Sequence, residues 1–163
     1  ISNYQLMDCL IDYLREMEIS EIMQLDDLKE RVKLYNDHRE PFIEMMKAHS
    51  WAKDAAVVTD LRDIEETFVG NRHVIYALYP DQNVSVRVFD GKDKKNCIFS
   101  VGYSILNRTA TVDVGKLMLK YGGGGHRRVG TCQVPYSEAD RILGEIVDEI
   151  NAKNWQMLSI AGL

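Results

Sequence analysis

The fold is decided by the stretch Tyr121-Gly122-Gly123-Gly124-Gly125-His126-Arg127-Arg128, four glycines followed by a histidine and two arginines. Four of the chain's 11 glycines lie here, although glycine loses more conformational freedom on folding than any other residue. Such a run indicates a turn with positive φ angles or a place where a ligand approaches bare amides. A helix cap needs one glycine, whereas phosphate sites combine exposed N–H groups with cationic side chains. The run therefore predicts a phosphate site.

The glycine run lies between a predicted helix and a predicted strand. Residues 113–121 have apolar side chains on one helical face, and Asp113 and Gly122 can begin and end that helix. Residues 130–136 predict a strand, and residues 138–152 predict an amphipathic helix. The dinucleotide-binding fingerprint has its strand first, and a P-loop has a Lys-Ser or Lys-Thr pair, so neither motif matches.

Four segments upstream of this unit are rich in β-branched and aromatic residues and predict strands. They are residues 55–61, 73–80, 83–90 and 96–104. Because only Asp81 and Gln82 separate the second segment from the third, we expect these two segments to form a β-hairpin. The fourth segment follows a charged turn and would extend the same meander.

The first third of the chain predicts helices over residues 3–18 and 25–49, and Pro41 should kink the second pattern or start a new helix. The predicted fold class is therefore α/β or α+β. It consists of a mixed β-sheet of four to five strands packed with helices, preceded by an N-terminal helical segment. The expected division is a helical connector, a sheet-containing domain and a tail, at residues 1–54, 55–153 and 154–163.

Charge is unevenly distributed along the chain. The net charge of −5 argues against a general surface for duplex nucleic acid. Residues 1–70 carry 8 basic and 16 acidic side chains, whereas residues 94–131 carry seven basic side chains and one acid, Asp113. An anionic ligand would therefore be drawn toward the glycine run and repelled from the N-terminal third.

The composition is that of a globular protein, with 45% hydrophobic and 28% charged residues among 163. No apolar run approaches the roughly 20 residues that span a bilayer, so we expect no membrane partner. Cys9, Cys97 and Cys132 lack metal-ligand spacing, and we interpret them as reduced thiols of a cytoplasmic protein. The chain begins at Ile1 rather than at a methionine, and we interpret it as part of a longer polypeptide.

A short helix, the GGGGH string, a strand of small residues and a closing amphipathic helix together resemble the DHHA1 domain. This domain is the C-terminal, substrate-binding half of DHH-family phosphoesterases, which include RecJ-type exonucleases, nano-RNases, cyclic-dinucleotide phosphodiesterases and exopolyphosphatase-related enzymes. The resemblance covers residues 55–152. The family commonly reads GGGGH-x-x-A-A-G, whereas here Val129-Gly130 follows the two arginines, so the glycine comes one residue early.

The resemblance implies a site that holds phosphate without cleaving it. The amides of Gly123 to Gly125 would approach a phosphate, and His126 would donate a hydrogen bond near the scissile position. We expect at most one of Arg127 and Arg128 to face the ligand. Arg87 should lie on the solvated face of the sheet, and a position in the cleft is the alternative. The predicted substrate-binding residues are Ser104, Arg108, Gly122, Gly123, Gly124, Gly125, His126, Arg127 and Arg128.

The resemblance also implies that catalysis lies elsewhere. The catalytic half of such enzymes holds two divalent cations, Mn or Mg, on aspartates and an Asp-His-His triplet. Asp37-His38-Arg39 is the nearest string here, and we expect His38 to be an exposed helix residue. This chain should bind no metal or cofactor and should not hydrolyse anything alone. Its expected partners are an N-terminal DHH domain and a short oligonucleotide, nucleotide or other phosphoester.

Two alternatives remain at this point. DHHA1-like domains also occur in alanyl-tRNA synthetases, so the chain could be a non-catalytic nucleic-acid-binding module with strongly salt-dependent binding. Alternatively, residues 3–49 could form an oligomerisation element, for example in a homodimer, or an interdomain element. The apolar residues buried against a partner would then include Tyr4, Leu10, Leu14, Leu28 and Tyr35.

Overall fold

The structure, a computed structural model, describes the backbone of residues 1–160 and the side chains of residues 1–153. The chain forms two compact units. The first comprises Ile1–Ile43 and Phe68–Gly70, and the second comprises Glu44–Thr67 and the residues from Asn71 onward. The domain boundaries expected from the sequence stay predictions. No helix among the described residues is both long enough and apolar enough to cross a bilayer.

The first unit is helical. Its helices are α1 (Asn3–Glu16), α2 (Ile19–Ile22), α3 (Asp26–Asp37) and the beginning of α4 (Arg39–Ala48), within which the boundary between the units falls. Pro41 lies in the first turn of α4, where its missing N–H would have no helical partner, so a new helix begins instead of one helix kinking.

Apolar side chains remain on the surface of this unit. Leu6 and Ile22 are buried, whereas Tyr4 is 81% exposed, Leu14 62% and Tyr35 44%. Leu10 and Leu28 are half-buried. The hypothesis that residues 3–49 bind a partner stays a prediction.

The second unit is built on one mixed sheet, which confirms the predicted fold class with six strands instead of four to five. The strand order is β1-β2-β3-β4-β6-β5, and every neighbouring pair is antiparallel except β2 and β3. The strands are β1 (Ser50–Lys53), β2 (Ala56–Leu61), β3 (Val84–Asp90), β4 (Asn96–Tyr103), β5 (Gly124–His126) and β6 (Val129–Pro135).

The predicted hairpin of residues 73–80 and 83–90 is wrong. Residues Val74–Leu78 form helix α5, because the parallel pairing of β2 with β3 requires a connection that leaves the sheet. Ile75 and Tyr76 bury their side chains from this helix, so apolar residues that locally favour a strand are used in a crossover. Strand β1, at the sheet edge, is not predicted by the sequence, because it directly follows the apolar helical pattern that ends at residue 49.

The core lies on one face of the sheet. Helices α6 (Val114–Leu119) and α7 (Ala139–Ile160) pack there, as the apolar periodicity predicted, although α7 continues beyond residue 152. Alternate residues of β3 and β4, such as Val86 and Phe99, are completely buried against these helices. The intervening residues point to the opposite face, and this alternation gives the sheet a second, more polar surface.

Candidate anion-binding site

A cavity of about 620 Å³ lies on the polar face of the sheet, within the second unit. Ser85 and Arg87 of β3 and Ser100 and Gly102 of β4 form its floor, because they alternate with the valines and phenylalanine of the core. Its sides come from α5 and its preceding loop, from the loop after β4, and from the turn between β5 and β6. The residues that supply these sides include Arg72, His73, Ile75, Tyr76, Ser104, Ile105, Arg108, Ala110, Arg127 and Arg128.

The cavity is strongly cationic. Five arginines line it, and no aspartate or glutamate does. Within the part of the chain that the structure describes, none of these five guanidinium groups forms an ion pair. Unneutralised cations in a concave site create a local positive potential that attracts anions. The five residues are Arg72, Arg87, Arg108, Arg127 and Arg128.

Arg87 is the least solvated of these cations. Its side chain is half-buried, whereas the other four are exposed. Burial lowers the pKa of the Arg87 guanidinium, and the positive charge of Arg72 lowers it further. The only close partner that it has among the described residues is the ring of Phe89, whose centroid lies 5.3 Å from the guanidinium carbon. Arg87 therefore lies in the cavity floor, not on the solvated sheet face expected from the sequence.

Helix α5 is anchored to the cavity floor by Tyr76. Its hydroxyl lies 2.8 Å from the Ser85 hydroxyl and donates to the Gly102 carbonyl at 3.3 Å. Burial raises the pKa of Tyr76, although the bond to Ser85 and the charges of Arg72 and Arg87 oppose this. The ring of His73 stacks on that of Tyr76 with centroids 5.9 Å apart. The Nδ1 atom of His73 is buried and has no hydrogen-bond partner among the described residues.

The backbone geometry of the fold requires glycine at three of the four positions of the run. Gly122, at φ +74°, ends α6, and the Gly122 and Gly123 amides donate to the carbonyls of Leu119 and Met118. A Cβ at Gly123 would lie 2.0 Å from the Thr131 carbonyl oxygen. Gly125 has φ +151°, and its Cβ would lie 2.3 Å from the Val129 carbonyl oxygen, whereas a Cβ at Gly124 would meet nothing within 4 Å.

These contacts revise the expected phosphate cradle. The amide of Gly123 is already paired with a helix carbonyl, so it does not face a ligand in this structure. Gly124 to His126 form an edge strand instead of a free loop. His126 is exposed and is not among the residues that line the cavity. The substrate roles of the glycines and of His126 stay predictions.

Arg127 and Arg128 form the turn of a β-hairpin. His126 pairs with Val129, so these two arginines are the whole connection between β5 and β6. Both line the cavity, and the expectation that at most one of them faces a ligand stays a prediction. Their backbone carbonyls accept hydrogen bonds from the amides of Val114 and Tyr103, at 3.0 and 2.9 Å, which hold the turn against neighbouring elements.

Ser104 shapes the loop that carries Arg108. The Ser104 side chain is buried, and its hydroxyl oxygen accepts hydrogen bonds from the amides of Leu106 and Asn107 at 3.1 and 3.0 Å. Arg108 donates from Nε to the Ile105 carbonyl at 3.2 Å and remains exposed at the cavity. Both residues were predicted for the site, and the structure brings them to the same cavity as the arginine turn.

Metal-binding side chains are not clustered in the described part of the chain. Within residues 1–153, no three His, Cys, Asp or Glu side chains are placed so that they could hold a metal ion. His38 follows the last residue of α3 and is half-buried, not exposed as expected. Its Nδ1 accepts a hydrogen bond from the Val69 amide at 3.0 Å, and its ring meets Phe68 edge-on. Cys9, Cys97 and Cys132 are free thiols, and the last two are buried.

Comparisons with known proteins identify the fold. No family model matches the chain, and no curated protein sequence does. Among solved structures, the pGpG-specific phosphodiesterase PggH from Vibrio cholerae is 44% identical, with a TM-score of 0.82 over 94% of this chain and 52% of that one. This chain therefore spans about half of that protein's length.

Two more distant structures are similar. The DHH domain of a member of a family of ribosomal proteins has 14% identity and a TM-score of 0.54, over 79% of this chain and 33% of that one, which indicates a shared fold only. The C-Ala domain of Aquifex aeolicus alanyl-tRNA synthetase has 17% identity over 63% of this chain and 97% of that one. Its TM-score of 0.37 is too low to support an argument.

The fold is therefore an α+β domain whose mixed sheet carries an arginine-lined cavity on its polar face. Its similarity to PggH and its glycine-rich hairpin agree with the family resemblance found in the sequence. The similarity to PggH over 94% of this chain confirms the resemblance to a DHHA1 domain.

Proposed function

We propose that this chain is the substrate-binding part of a DHH-family phosphodiesterase, and that its cavity holds the phosphates of a short linear oligonucleotide. The supporting observation is the set of five arginines that line one cavity without an acid. Arginine suits this task because its planar guanidinium donates two parallel hydrogen bonds to phosphate oxygens. A neutral or cationic substrate would gain nothing from such a lining.

The similarity to PggH narrows the range of candidate substrates. That protein is described as specific for pGpG, which in chemical notation is a guanosine dinucleotide with a 5′ phosphate. We extend this class of substrate, a linear 5′-phosphorylated dinucleotide, to the present chain on the basis of 44% identity.

In this proposal the chain binds and orients the dinucleotide, and a DHH domain outside the chain hydrolyses the phosphodiester bond. Divalent cations, Mn or Mg, would supply an activated water in that domain. Arg108, Arg127 and Arg128 would hold the phosphodiester at the open side of the cavity, where a second domain can reach it. His126, exposed beside the arginine turn, would donate a hydrogen bond to the same phosphate. Reduced, free cysteines fit a cytoplasmic protein.

The proposal is tested by titrating the isolated chain with pGpG while backbone amide resonances are followed by NMR. We expect shifts for residues 84–88, 100–108 and 124–129, and none for α1. An Arg39→Met variant, altered at an exposed arginine of the first unit, should bind pGpG as the wild type does.

Absence of shifts at millimolar pGpG would overturn the proposal. Binding of tRNA with a steep salt dependence, without response to pGpG, would favour the nucleic-acid-binding module instead. In the complete enzyme, His126→Ala should reduce turnover strongly while the circular dichroism spectrum stays unchanged.

A further inference from the structure

The loop between β4 and α6 carries Arg108 without regular secondary structure. Its residues 104–113, all of them described, form neither helix nor strand. Such loops usually have more freedom than the elements that they connect. Here side chains hold the backbone instead: the Ser104 hydroxyl accepts from two loop amides, and Asn107 Oδ1 accepts from the Thr109 amide at 3.3 Å. The loop therefore has an internal hydrogen-bonded structure.

Three polar side chains join this loop to the beginning of β3. Asn83 donates from Nδ2 to the Thr109 hydroxyl oxygen at 3.0 Å, and that hydroxyl donates to Asn107 Oδ1 at 2.7 Å. Asn107 donates from Nδ2 to the Asp81 carbonyl at 2.8 Å. Asn83 is the fixed end of this Asn83–Thr109–Asn107 relay, because its side chain is 6% exposed and its carbonyl accepts from the Ser104 amide at 2.8 Å. The relay is thus a continuous line of hydrogen bonds that begins and ends on the segment before β3.

Arg108 lies between the two relay residues of the loop. Asn107 and Thr109 direct their side chains toward the beginning of β3 and are not among the residues that line the cavity, whereas Arg108 lines it. The backbone on both sides of Arg108 is therefore held to the sheet. The bond from Arg108 Nε to the Ile105 carbonyl adds a contact within the loop. An arginine that is held before the ligand arrives loses less conformational entropy on binding than a free one.

We infer that the Asn83–Thr109–Asn107 relay positions Arg108 for the phosphodiester before the ligand binds. The inference rests on the proposed function, in which Arg108 contacts that group, and it adds three positioning residues that touch no ligand. The relay also joins two walls of the cavity, because the segment that contains Asp81 ends the crossover through α5. A change at Thr109 should reach the ligand only through Arg108.

The test is a double-mutant cycle in pGpG binding, measured by calorimetry. Thr109→Val removes the hydroxyl in the middle of the relay and keeps a side chain of similar size. It should weaken pGpG binding about three- to tenfold, the size expected when a side chain and its loop must be ordered on binding. In an Arg108→Met background the same change should weaken binding less than about twofold, because the positioned group is gone. Thr109→Ser keeps the hydroxyl and should restore wild-type affinity.

Thr111→Val is the matched control. It removes a hydroxyl from the same loop, but that hydroxyl donates to the Lys153 carbonyl at 3.2 Å and not to the relay. Its pGpG affinity should equal that of the wild type. A measurement without ligand is NMR relaxation of the Arg108 Nε–H group, which should become more mobile in Thr109→Val and not in Thr111→Val.

The outcomes are separable. If wild type does not bind pGpG, the proposed function fails; if Arg108 is as ordered in Thr109→Val as in wild type, the relay fails whether or not pGpG binds. If wild type binds and Thr109→Val weakens binding equally with and without Arg108, or has no effect, the relay is wrong and the proposed function stands. An Arg108→Met variant with wild-type affinity also overturns the inference alone, since four other arginines line the cavity. If Thr109→Val does not fold, Asn107→Ala, which removes the last donor of the relay, takes its place in the same cycle.

Discussion

The hydroxyl oxygens of Tyr76 and Ser85 lie 2.8 Å apart, and this contact joins helix α5 to strand β3 beneath the cavity. The crossover between β2 and β3 could leave the sheet in several directions, but this bond fixes one end of it beside Arg87. Because Arg72 and His73 directly precede α5, the same bond also fixes one wall of the cavity.

Replacing Tyr76 by phenylalanine should therefore affect both stability and binding. The ring is 4% exposed, so its packing stays, but Ser85 and the Gly102 carbonyl lose a buried partner. We expect a loss of about 1–2 kcal/mol in the free energy of unfolding. We also expect a several-fold loss of pGpG affinity.

Urea denaturation and calorimetry measure these two effects. Tyr35→Phe is the matched control, because Tyr35 is 44% exposed and makes no side-chain hydrogen bond among the described residues. Equal behaviour of the two variants would contradict the anchoring role of Tyr76.

Alanine substitutions in the glycine run can distinguish glycines that the fold requires from a glycine that the ligand requires. Gly125→Ala should destabilise the protein by about 2–4 kcal/mol, because an unfavourable φ and an overpacked contact each cost about 1–3 kcal/mol. Gly124→Ala should change stability by less than about 1 kcal/mol, since its Cβ would meet open space.

The measurements are urea unfolding of both variants and the pGpG affinity of the stable one. Weakened binding by a fully stable Gly124→Ala would assign this glycine to the ligand. A Gly125→Ala protein as stable as wild type would show that the hairpin geometry is wrong.

The later glycines of the run are required by contacts that the sequence does not reveal. Gly122 is the one glycine that the helix cap needs, whereas a Cβ at Gly123 or Gly125 would lie 2.0 or 2.3 Å from a backbone oxygen of β6. These contacts depend on how the chain folds back on itself, so the four glycines alone do not predict them. Helices α6 and α7 were predictable because their apolar periodicity is local.

The cavity was only partly predictable for the same reason. Arg108, Arg127 and Arg128 were found near a recognisable motif, whereas Arg72 has no such neighbour and reaches the site only through the crossover helix. Arg87 alternates with core valines, a pattern that places it opposite the core but does not reveal whether that face is solvent or a cavity floor. The parallel pairing of β2 with β3 requires a crossover, and that crossover covers part of this face and turns it into a cavity. It also explains why residues that favour a strand form helix α5.

Stability should fall in acid through the Asp60–Arg62–Asp140 cluster. Burial alone would raise the pKa of the Asp60 carboxyl, but hydrogen bonds from Arg62 outweigh this and lower it below its ordinary 3.8. A folded-state pKa below the unfolded one stabilises the protein above the unfolded pKa, and that stability is lost as pH falls through the folded value. Hydrogen bonds from Lys94 and Tyr136 similarly lower the pKa of Asp63.

The measurement is the free energy of unfolding in urea between about pH 2 and 6, where carboxylates titrate. Wild type should lose stability below about pH 4, and Asp60→Asn should be less stable at pH 6 with a shallower dependence below it. Asp8→Asn, at an exposed carboxylate of α1, should follow the wild-type curve. Parallel curves for wild type and Asp60→Asn would contradict the cluster's role.

The arginine turn should control affinity in a salt-dependent way. Arg127 and Arg128 are exposed, so their attraction for phosphate is screened by added salt, whose Debye length falls from about 10 Å at 0.1 M to about 3 Å at 1 M. The double variant Arg127→Gln/Arg128→Gln should bind pGpG about 10- to 100-fold more weakly at low salt, from the loss of charge-assisted hydrogen bonds. Its affinity should also depend less on salt than that of the wild type. The double variant Lys95→Gln/Lys116→Gln, at two exposed lysines outside the cavity lining, removes the same charge and is the control. If both variants weaken binding equally, the attraction comes from the overall charge of this region and not from the turn that β5 and β6 place at the cavity.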